Sequence, residues 1–269
     1  MSQPPIAFTN ASGIHVRSIS QYCLATLLNL YHTLDQQIVW ARARKTWADE
    51  KEFVPEGSGG YGVRTVYGKT IGMLGYGHVR SSFTVIGRET ARLFQVFGVD
   101  VIAATSSGAA RPDDGYILPG TGDQEGPRPA SLLCRPPLTS FRGTGRIPSQ
   151  YCKTTDRASF HAFLARSDIL ICSVPSTNAT RGLLDAEELD ALLEALDKNV
   201  SGAALDVTSP EPLPPNHPLF SHPRCIITPH LSGTVENEHD EIVKLCLSSV
   251  ERMERGKAPW GIVDVEKGY

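Results

Sequence analysis

The sequence lacks the features that mark several classes of protein. Acidic and basic side chains nearly balance, giving a net charge of −3, so no global attraction to nucleic acid or to an anionic membrane is expected. No apolar run approaches bilayer length, and the first sixteen residues contain neither lysine nor arginine, so we predict neither a membrane span nor a signal peptide. The six cysteines have no short paired spacing, which indicates free thiols and a cytoplasmic protein.

The remaining composition is ordinary for a globular protein. The 269 residues, of which 41% are hydrophobic and 20% charged, suffice for one large or two ordinary domains. A chain of this size can bury roughly 70–75% of its extended surface, so it does not need disulfides to fold. We predict no metal site.

A glycine-rich turn is the most informative segment of the chain. An apolar run at 70–74 predicts a strand, and it leads directly into two glycines one residue apart. The turn consists of Gly75, Tyr76, Gly77 and His78. A third glycine is expected at position 80, where Arg80 stands, and Gly87 follows seven residues later. Residues 79–85 therefore resemble a loop inserted into a dinucleotide-binding turn.

Each glycine has a predicted role at a dinucleotide. Gly75 would permit the tight turn, Gly77 would let the backbone approach a pyrophosphate, and Gly87 would let the next helix pack closely on the sheet. That helix's N-terminus would supply amide donors. The second strand ends near Thr105 without the acid usual for NAD, and the nearest base is Arg111, so the sequence does not choose between NAD and NADP. A plain strand-to-helix turn is the alternative.

Hydrophobic periodicity predicts alternating helices and strands. The helices are predicted at 17–47, 86–97, 159–166, 185–196 and 236–256, and the strands at 70–74, 99–104, 168–174, 202–207 and 225–228. Gly98 would close the second helix. This order predicts an α/β fold, a Rossmann-type doubly wound parallel sheet.

Two stretches depart from that pattern. Residues 105–150 have no apolar period, and within them 127–146 contain four arginines and no acid. We interpret 127–146 as an inserted, draped loop; a nucleic acid-binding arm is the alternative, but it would be expected to carry interleaved aromatic residues. No strand is predicted between Leu183 and Ser201, so one strand of the sheet looks missing.

A histidine and a glutamate are the candidate catalytic residues. His230 follows Thr228-Pro just past a predicted strand, and ligands bind at the carboxyl ends of parallel strands. Imidazole exchanges a proton near neutral pH, and Glu211 could hydrogen-bond its second nitrogen. A structural histidine and a solvated carboxylate are the alternatives. Of the other seven histidines, only His78 lies near a plausible site.

Together these segments resemble the D-isomer-specific 2-hydroxyacid dehydrogenases, the family of glycerate, phosphoglycerate and formate dehydrogenases. The resemblance is carried by Gly72–His78, by Leu205-Asp-Val with Glu211-Pro-Leu-Pro, and by Thr228-Pro-His-Leu-Ser-Gly233. It implies hydride transfer between NAD or NADP and a small 2-hydroxy or 2-oxo acid, with His230 as general acid/base and Glu211 tuning it.

The resemblance also implies cofactor contacts. They would come from Gly75, Tyr76, Gly77, His78, Gly87, Thr105, Val174, Pro175, Asp206 and Gly233. Asp206 would hold the nicotinamide carboxamide. The expected partner is the small acid substrate, with a homodimer as an open alternative, and neither nucleic acid nor a membrane is expected.

Set against the family, the chain looks incomplete. Residues 1–13 would be a remnant of a substrate-binding lobe, 14–240 the NAD(P)-binding domain, and 241–269 a C-terminal helix and tail. The family's Asn-x-x-Arg-Gly segment, whose arginine clamps the substrate carboxylate, is absent, because no arginine occurs between Arg181 and Arg224. We therefore expect impaired activity. The alternative is a catalytically inactive paralogue that binds the cofactor or dimerises.

Overall fold

The structure, a computed structural model, divides into two compact units. The segments described are 8–11, 13–53, 63–76, 82–109, 147–174, 192–197 and 200–263. The first unit takes residues 1–20, 69–177 and 233–269, and the second takes 21–68 and 178–232. Within the described segments, every helix is too short or too polar to cross a bilayer.

The first unit is built on a four-stranded parallel sheet. Its strands are β1 (Thr70–Leu74), β2 (Asp100–Thr105), β3 (Gln150–Lys153) and β4 (Ile169–Cys172). They lie in the order β3-β2-β1-β4, with β1 and β2 in register from Thr70 opposite Asp100 to Leu74 opposite Ala104. The central strands are continuous apolar runs, and Ile71 and Ile102 are fully buried, as expected for parallel strands covered on both faces.

Helices α3 (Ser82–Gln95) and α4 (Arg157–Arg166) connect these parallel strands. The Gly98 N–H donates to the Gln95 carbonyl (3.0 Å) and Gly98 has φ 68°, so the predicted C-terminal glycine cap is confirmed. α3 begins at Ser82, four residues before the predicted start, so residues 82–85 are helical and not part of a loop. The predicted insertion at 127–146 lies outside the described residues.

The single long helix predicted over 17–47 is wrong. The chain forms α1 (Val16–His32) and α2 (Leu34–Arg44), separated at Thr33, which adopts a left-handed φ of 52°. The Asn29 side-chain oxygen accepts from the Asp35 N–H (2.7 Å), which satisfies a donor at the start of α2. No glycine or proline marks this break, so the helical stripe alone could not reveal it.

The second unit contains a parallel pair of short strands, β5 (Ala203–Leu205) and β6 (Cys225–Ile227). Residues 192–197 form a helix, α5. Leu196 is fully buried there, against Leu213 and Leu219. Every residue of both strands is only partly buried. In the described part of this unit, the alternate residues Ala203, Leu205, Cys225 and Ile227 of the two strands pack against this small cluster.

The N- and C-terminal segments of the first unit pair with each other. Helix α6 (Glu238–Glu254) precedes a short antiparallel bridge between Thr9 and Ile262. The Asn10 N–H donates to the Gly261 carbonyl and the Val263 N–H to the Phe8 carbonyl, both at 2.9 Å. These pairings join residues that the sequence assigned to a lobe remnant and to a tail; those domain boundaries stay a prediction.

The predicted α/β class with a Rossmann-type parallel sheet is confirmed. The order β3-β2-β1-β4 is the first part of the doubly wound order. Among the described residues, however, the six strands form two sheets. The interval between β4 and β5 is the one in which the sequence predicted a missing strand, and of that interval residues 192–197 are helical.

Candidate active site

The glycine turn after β1 is closed by backbone packing. Gly75 has φ 112°, and a Cβ added to it would lie 2.6 Å from the Ser173 carbonyl oxygen. A Cβ on Gly87 would lie 3.0 Å from the Gly75 carbonyl oxygen. Only glycine suits both positions, because side chains would force α3 and β4 away from the turn. The structure thus brings Gly75 and Gly87 together, while Gly77 and His78 lie outside the described residues.

Tyr76 packs inside the first unit. It is 1% exposed, its hydroxyl donates to the Ile147 carbonyl (3.3 Å), and its ring packs edge-on against Tyr151. The Arg88 guanidinium lies 4.8 Å from the ring centroid. Tyr76 therefore stabilises the turn, and its contact with a cofactor stays a prediction.

Ser173, at the carboxyl end of β4, was not singled out by sequence reasoning. Its N–H donates to the Leu74 carbonyl (2.9 Å). Its hydroxyl oxygen is buried without a hydrogen-bond partner, 2.8 Å from where a Gly75 Cβ would stand and 3.5 Å from a Gly87 Cβ. A buried unsatisfied hydroxyl is costly and calls for a partner. The Ser173 side chain therefore belongs to the interior packing of the turn, while the close approach of Gly75 and Gly87 is typical of a dinucleotide-binding turn. Val174 follows, half-buried, and Pro175 lies outside the described residues.

The predicted ribose position at Thr105 has a basic neighbour. Thr105 is half-buried at the end of β2, and its hydroxyl oxygen accepts from the Gly108 N–H (3.0 Å). Across the ladder, Thr105 pairs with Lys153 of β3. Sequence reasoning missed this lysine because it did not predict β3.

The structure brings His230 and Glu211 together. His230 Nδ1 lies 2.6 Å from Glu211 Oε1, and the two side chains are 63% and 41% exposed. His230 has φ 54°, a left-handed conformation that histidine tolerates better than most residues. Its N–H donates to the carbonyls of Asp206 and Thr228, both at 3.0 Å. A strained backbone held by two such bonds is typical of functional positions.

Asp206 anchors the loop that carries His230. Its carboxylate accepts from the Thr228 hydroxyl (2.5 Å) and from the N–H groups of Leu231 and Ser232 (both 3.0 Å). The Thr228 hydroxyl in turn accepts from the Tyr22 hydroxyl, 2.8 Å away. Burial alone would raise the pKa of Asp206, but these hydrogen bonds, with one from the Ser232 side chain, hold that pKa below its ordinary value.

The anchoring bonds bear on the role predicted for Asp206 at the nicotinamide. A carboxylate offers about four lone-pair positions. The side chain of Thr228, the N–H of Leu231, and the N–H and side chain of Ser232 all bond to it. Asp206 is therefore a positioning residue for the His230 loop, and its contact with the carboxamide stays a prediction.

The predicted site residues fall into three groups. Gly75, Tyr76, Gly87, Thr105, Val174 and Gly233 belong to the first unit, Asp206, Glu211 and His230 to the second, and Gly77, His78 and Pro175 lie outside the described residues. The Gly233 carbonyl accepts from His15 Nδ1 (2.6 Å), while His15 Nε2 lies 3.5 Å from Glu238. Gly233 therefore has a structural contact, which the sequence had not indicated.

Part of the chain is similar to known protein families and relatives. Residues 188–232 match the family model described as D-isomer specific 2-hydroxyacid dehydrogenase, NAD binding domain. The chain is 33% identical over 155 residues to glyoxylate/hydroxypyruvate reductase A of Yersinia enterocolitica, covering 49% of this chain and 44% of that one. It is 34% identical over 134 residues to the protein of the same name from Salmonella paratyphi B, covering 42% of each. The chain thus spans less than half the length of these relatives.

Solved structures show the same fold. A D-isomer specific 2-hydroxyacid dehydrogenase from Xanthobacter autotrophicus, in complex with NADPH and MES, matches with TM-score 0.65 at 20% identity, covering 100% of this chain and 96% of that one. An NADPH-dependent glyoxylate/hydroxypyruvate reductase from Sinorhizobium meliloti, in complex with NADP and sulfate, matches with TM-score 0.64 at 20% identity, covering 99% and 74%.

Proposed function

We propose that the chain is an oxidoreductase of the D-isomer-specific 2-hydroxyacid dehydrogenase family, acting on a small 2-hydroxy or 2-oxo acid. A hydride would pass between NAD or NADP and the C2 carbon of the acid, and a proton would pass to or from the oxygen on that carbon. The observation that carries this proposal is the His230–Glu211 pair, whose nitrogen and oxygen lie 2.6 Å apart.

The protein's own part in the reaction is proton transfer. Since Nδ1 of His230 faces Glu211, Nε2 is the nitrogen left to exchange a proton with the substrate oxygen. Glu211 accepts from Nδ1–H and so fixes the tautomer and the ring orientation, while Asp206 holds the loop. In reduction Nε2–H protonates the oxo oxygen, and in oxidation Nε2 takes the hydroxyl proton. The nicotinamide, when bound, supplies the hydride chemistry.

The cofactor is a nicotinamide dinucleotide, NAD or NADP. The match of residues 188–232 to an NAD-binding domain model supports it. So does the turn in the first unit, where Gly75 and Gly87 let the backbone after β1 pack closely on α3 and on the end of β4, as in a dinucleotide-binding turn.

Glyoxylate and hydroxypyruvate, named by the relatives in Yersinia and Salmonella, are the 2-oxo acids to test first. The absence of an arginine between Arg181 and Arg224 leaves the substrate carboxylate without its expected clamp. A misplaced substrate can cost on the order of 100-fold in rate. We therefore expect turnover well below that of a relative that carries this arginine.

The direct test is oxidation of NADH and NADPH by the full chain in the presence of each 2-oxo acid. His230→Asn keeps a side chain that tolerates the left-handed backbone but removes the proton donor. We expect it to lower turnover by about 10²–10⁴-fold while cofactor binding, followed by nicotinamide fluorescence, is unchanged. His239→Asn, on the exposed surface of α6, is the matched control and should alter neither.

A second candidate is a catalytically inactive protein that binds the cofactor or a second copy of itself. The exposure of His230 and Glu211, 63% and 41%, favours it, because proton transfer in this reaction class normally proceeds in a site that excludes water. Cofactor binding without turnover, in a wild-type chain whose His230→Asn variant behaves identically, would support this candidate. Absence of cofactor binding would contradict the enzyme and the cofactor-binding form of this candidate, and absence of a dimer in light scattering would contradict its dimerising form.

A further inference from the structure

The carboxyl end of β2 is where this fold distinguishes NAD from NADP. NAD sites usually place an acid there to hydrogen-bond the ribose 2′-hydroxyl, and NADP sites place a base near the 2′-phosphate. The residues that end and follow β2 are Thr105, Ser106, Ser107 and Gly108, none of them charged. From the sequence alone the nearest base was Arg111, so neither cofactor was favoured.

The structure places a base beside this position. β3 runs parallel to β2, and Lys153, its last residue, pairs with Thr105. The Thr154 N–H donates to the Thr105 carbonyl (2.9 Å), and the Thr155 hydroxyl donates to the Ser106 carbonyl (3.2 Å). Lys153 is exposed and lies at the carboxyl ends of the parallel strands of this unit. Ligands of parallel α/β sheets bind at these carboxyl ends.

The loop after β2 packs directly on the stem of this lysine. Gly108 has φ 65°, and a Cβ added to it would lie 2.7 Å from Lys153 Cβ and 3.0 Å from the Lys153 nitrogen. The Thr105 hydroxyl oxygen accepts from the Gly108 N–H, which leaves its proton free to be donated. The exposed hydroxyls of Ser106 and Ser107 lie on the same short loop. Lys153 and three hydroxyl-bearing residues, Thr105, Ser106 and Ser107, thus lie together at the end of β2 where the ribose is expected.

The charges around this edge favour an anion. The one described acid adjoining Lys153 in the chain is Asp156, which caps α4 by accepting from the N–H groups of Ala158 (2.9 Å) and Ser159 (3.2 Å). Arg157 is exposed beside it. The net charge over residues 153–157 is +1, because Lys153 and Arg157 are cations and Asp156 is the one anion. A phosphate of charge about −2 gains from such a balance, whereas a neutral hydroxyl does not.

We propose that Lys153, with the hydroxyls of Thr105 and the following serines, binds the 2′-phosphate of NADP and makes this protein prefer NADP to NAD. The inference rests on the proposed function, because it concerns the cofactor of that same site. It assigns a specificity role to a residue of β3, 48 positions after Thr105 in the chain (153 minus 105).

The test compares ligands that differ only in the 2′-phosphate. NADPH and NADH are titrated into the full chain by fluorescence, and adenosine 2′,5′-bisphosphate and 5′-AMP by calorimetry, all at one ionic strength. We expect the ligand of each pair that carries the 2′-phosphate to bind about tenfold tighter or more. Lys153→Gln should lower the affinity for that ligand about tenfold and leave the affinity for the other ligand unchanged, while Lys153→Arg should keep the preference.

The matched control is Lys69→Gln. Lys69 also belongs to the first unit and its side chain is 43% exposed, but it precedes β1 at the amino end of the strands and lies 3.5 Å from Asp168. Lys69→Gln should leave the ratio of the two binding affinities unchanged in each ligand pair. Equal or tighter binding of NADH in the wild type, or an equal loss of both dinucleotides in Lys153→Gln, overturns the NADP assignment and leaves the proposed function standing. Failure of both dinucleotides to bind overturns the two together.

Discussion

In the first unit, Gly75 and Gly87 are held where backbone atoms of β1, β4 and α3 approach within van der Waals contact. In the second, His230 is held by hydrogen bonds that converge on Asp206. The sheets differ in the same sense: Ile71 and Ile102 are fully buried, whereas every residue of β5 and β6 is partly exposed. Backbone packing therefore positions Gly75 and Gly87, whereas hydrogen bonds position His230.

This difference has a physical basis. Two paired strands are marginal on their own, because each edge leaves unpaired backbone groups and little apolar surface is covered. A four-stranded sheet covered by helices buries its central strands and resists displacement. The second unit therefore depends on side-chain hydrogen bonds, and these respond to pH in a way that packing does not.

The largest expected effect comes from filling the packed turn. Gly75→Ala adds a Cβ at φ 112°, 2.6 Å from a backbone oxygen that cannot move without displacing β4. Gly13→Ala is the matched control, since Gly13 belongs to the same unit, has φ 102° and has open space around its Cβ position. We expect a loss of about 3 kcal/mol in the free energy of unfolding for Gly75→Ala and about 1 kcal/mol for Gly13→Ala. Denaturant unfolding measures both, and equal losses would show that packing does not govern the turn.

A smaller effect is expected when the polar anchor is neutralised. Asp206→Asn keeps the shape of the side chain but removes the charge that accepts from Thr228, Leu231 and Ser232. At pH 7 we expect a loss of roughly 1–2 kcal/mol, because solvent exposure weakens charged hydrogen bonds. Asp197→Asn, an exposed acid of the same unit 3.3 Å from His222, is the control and should change the free energy of unfolding by about 0.5 kcal/mol or less.

The pH dependence of this loss in the free energy of unfolding tests whether the charge of Asp206 causes it. The pKa of Asp206 is lowered in the folded protein, so its ionisation stabilises the fold above the unfolded pKa of about 4. That stabilisation disappears as the pH falls through the folded pKa. The difference between wild type and Asp206→Asn should therefore be full at neutral pH and shrink below about pH 4. A difference that stayed constant on acidification would mean that the charge is not what holds the loop.

The same contrast explains what the sequence could predict. β1 and β2 are apolar runs buried on both faces, so their own residues predict buried strands without reference to the rest of the chain. β3 is Gln150-Tyr-Cys-Lys153, without an apolar run, and it exists because β2 offers an edge. The pairing of His230 with Glu211 was predicted from two proline-flanked segments, but the anchoring role of Asp206 depends on backbone N–H groups that have no residue signature. Lys153 could not be placed without β3.

The smallest expected effect needs no mutation. It is the difference in the rates at which one cysteine in each sheet reacts with a thiol reagent. Cys225 lies in β6, and burial raises its pKa to about 11. At pH 8 its thiolate fraction is then about 100-fold below that of a free cysteine, so it should react slowly with a thiol reagent and faster as the pH rises. Cys152, 4% exposed in β3, reports on the packed sheet.

Because β6 is partly exposed and has only β5 beside it in the described structure, its sheet should open more often than the four-stranded one. Cys225 should therefore be labelled before Cys152 when native protein is sampled over time and the modified sites are located by mass spectrometry. Labelling of Cys152 first would reverse the comparison, since the packed unit would then be the one that opens.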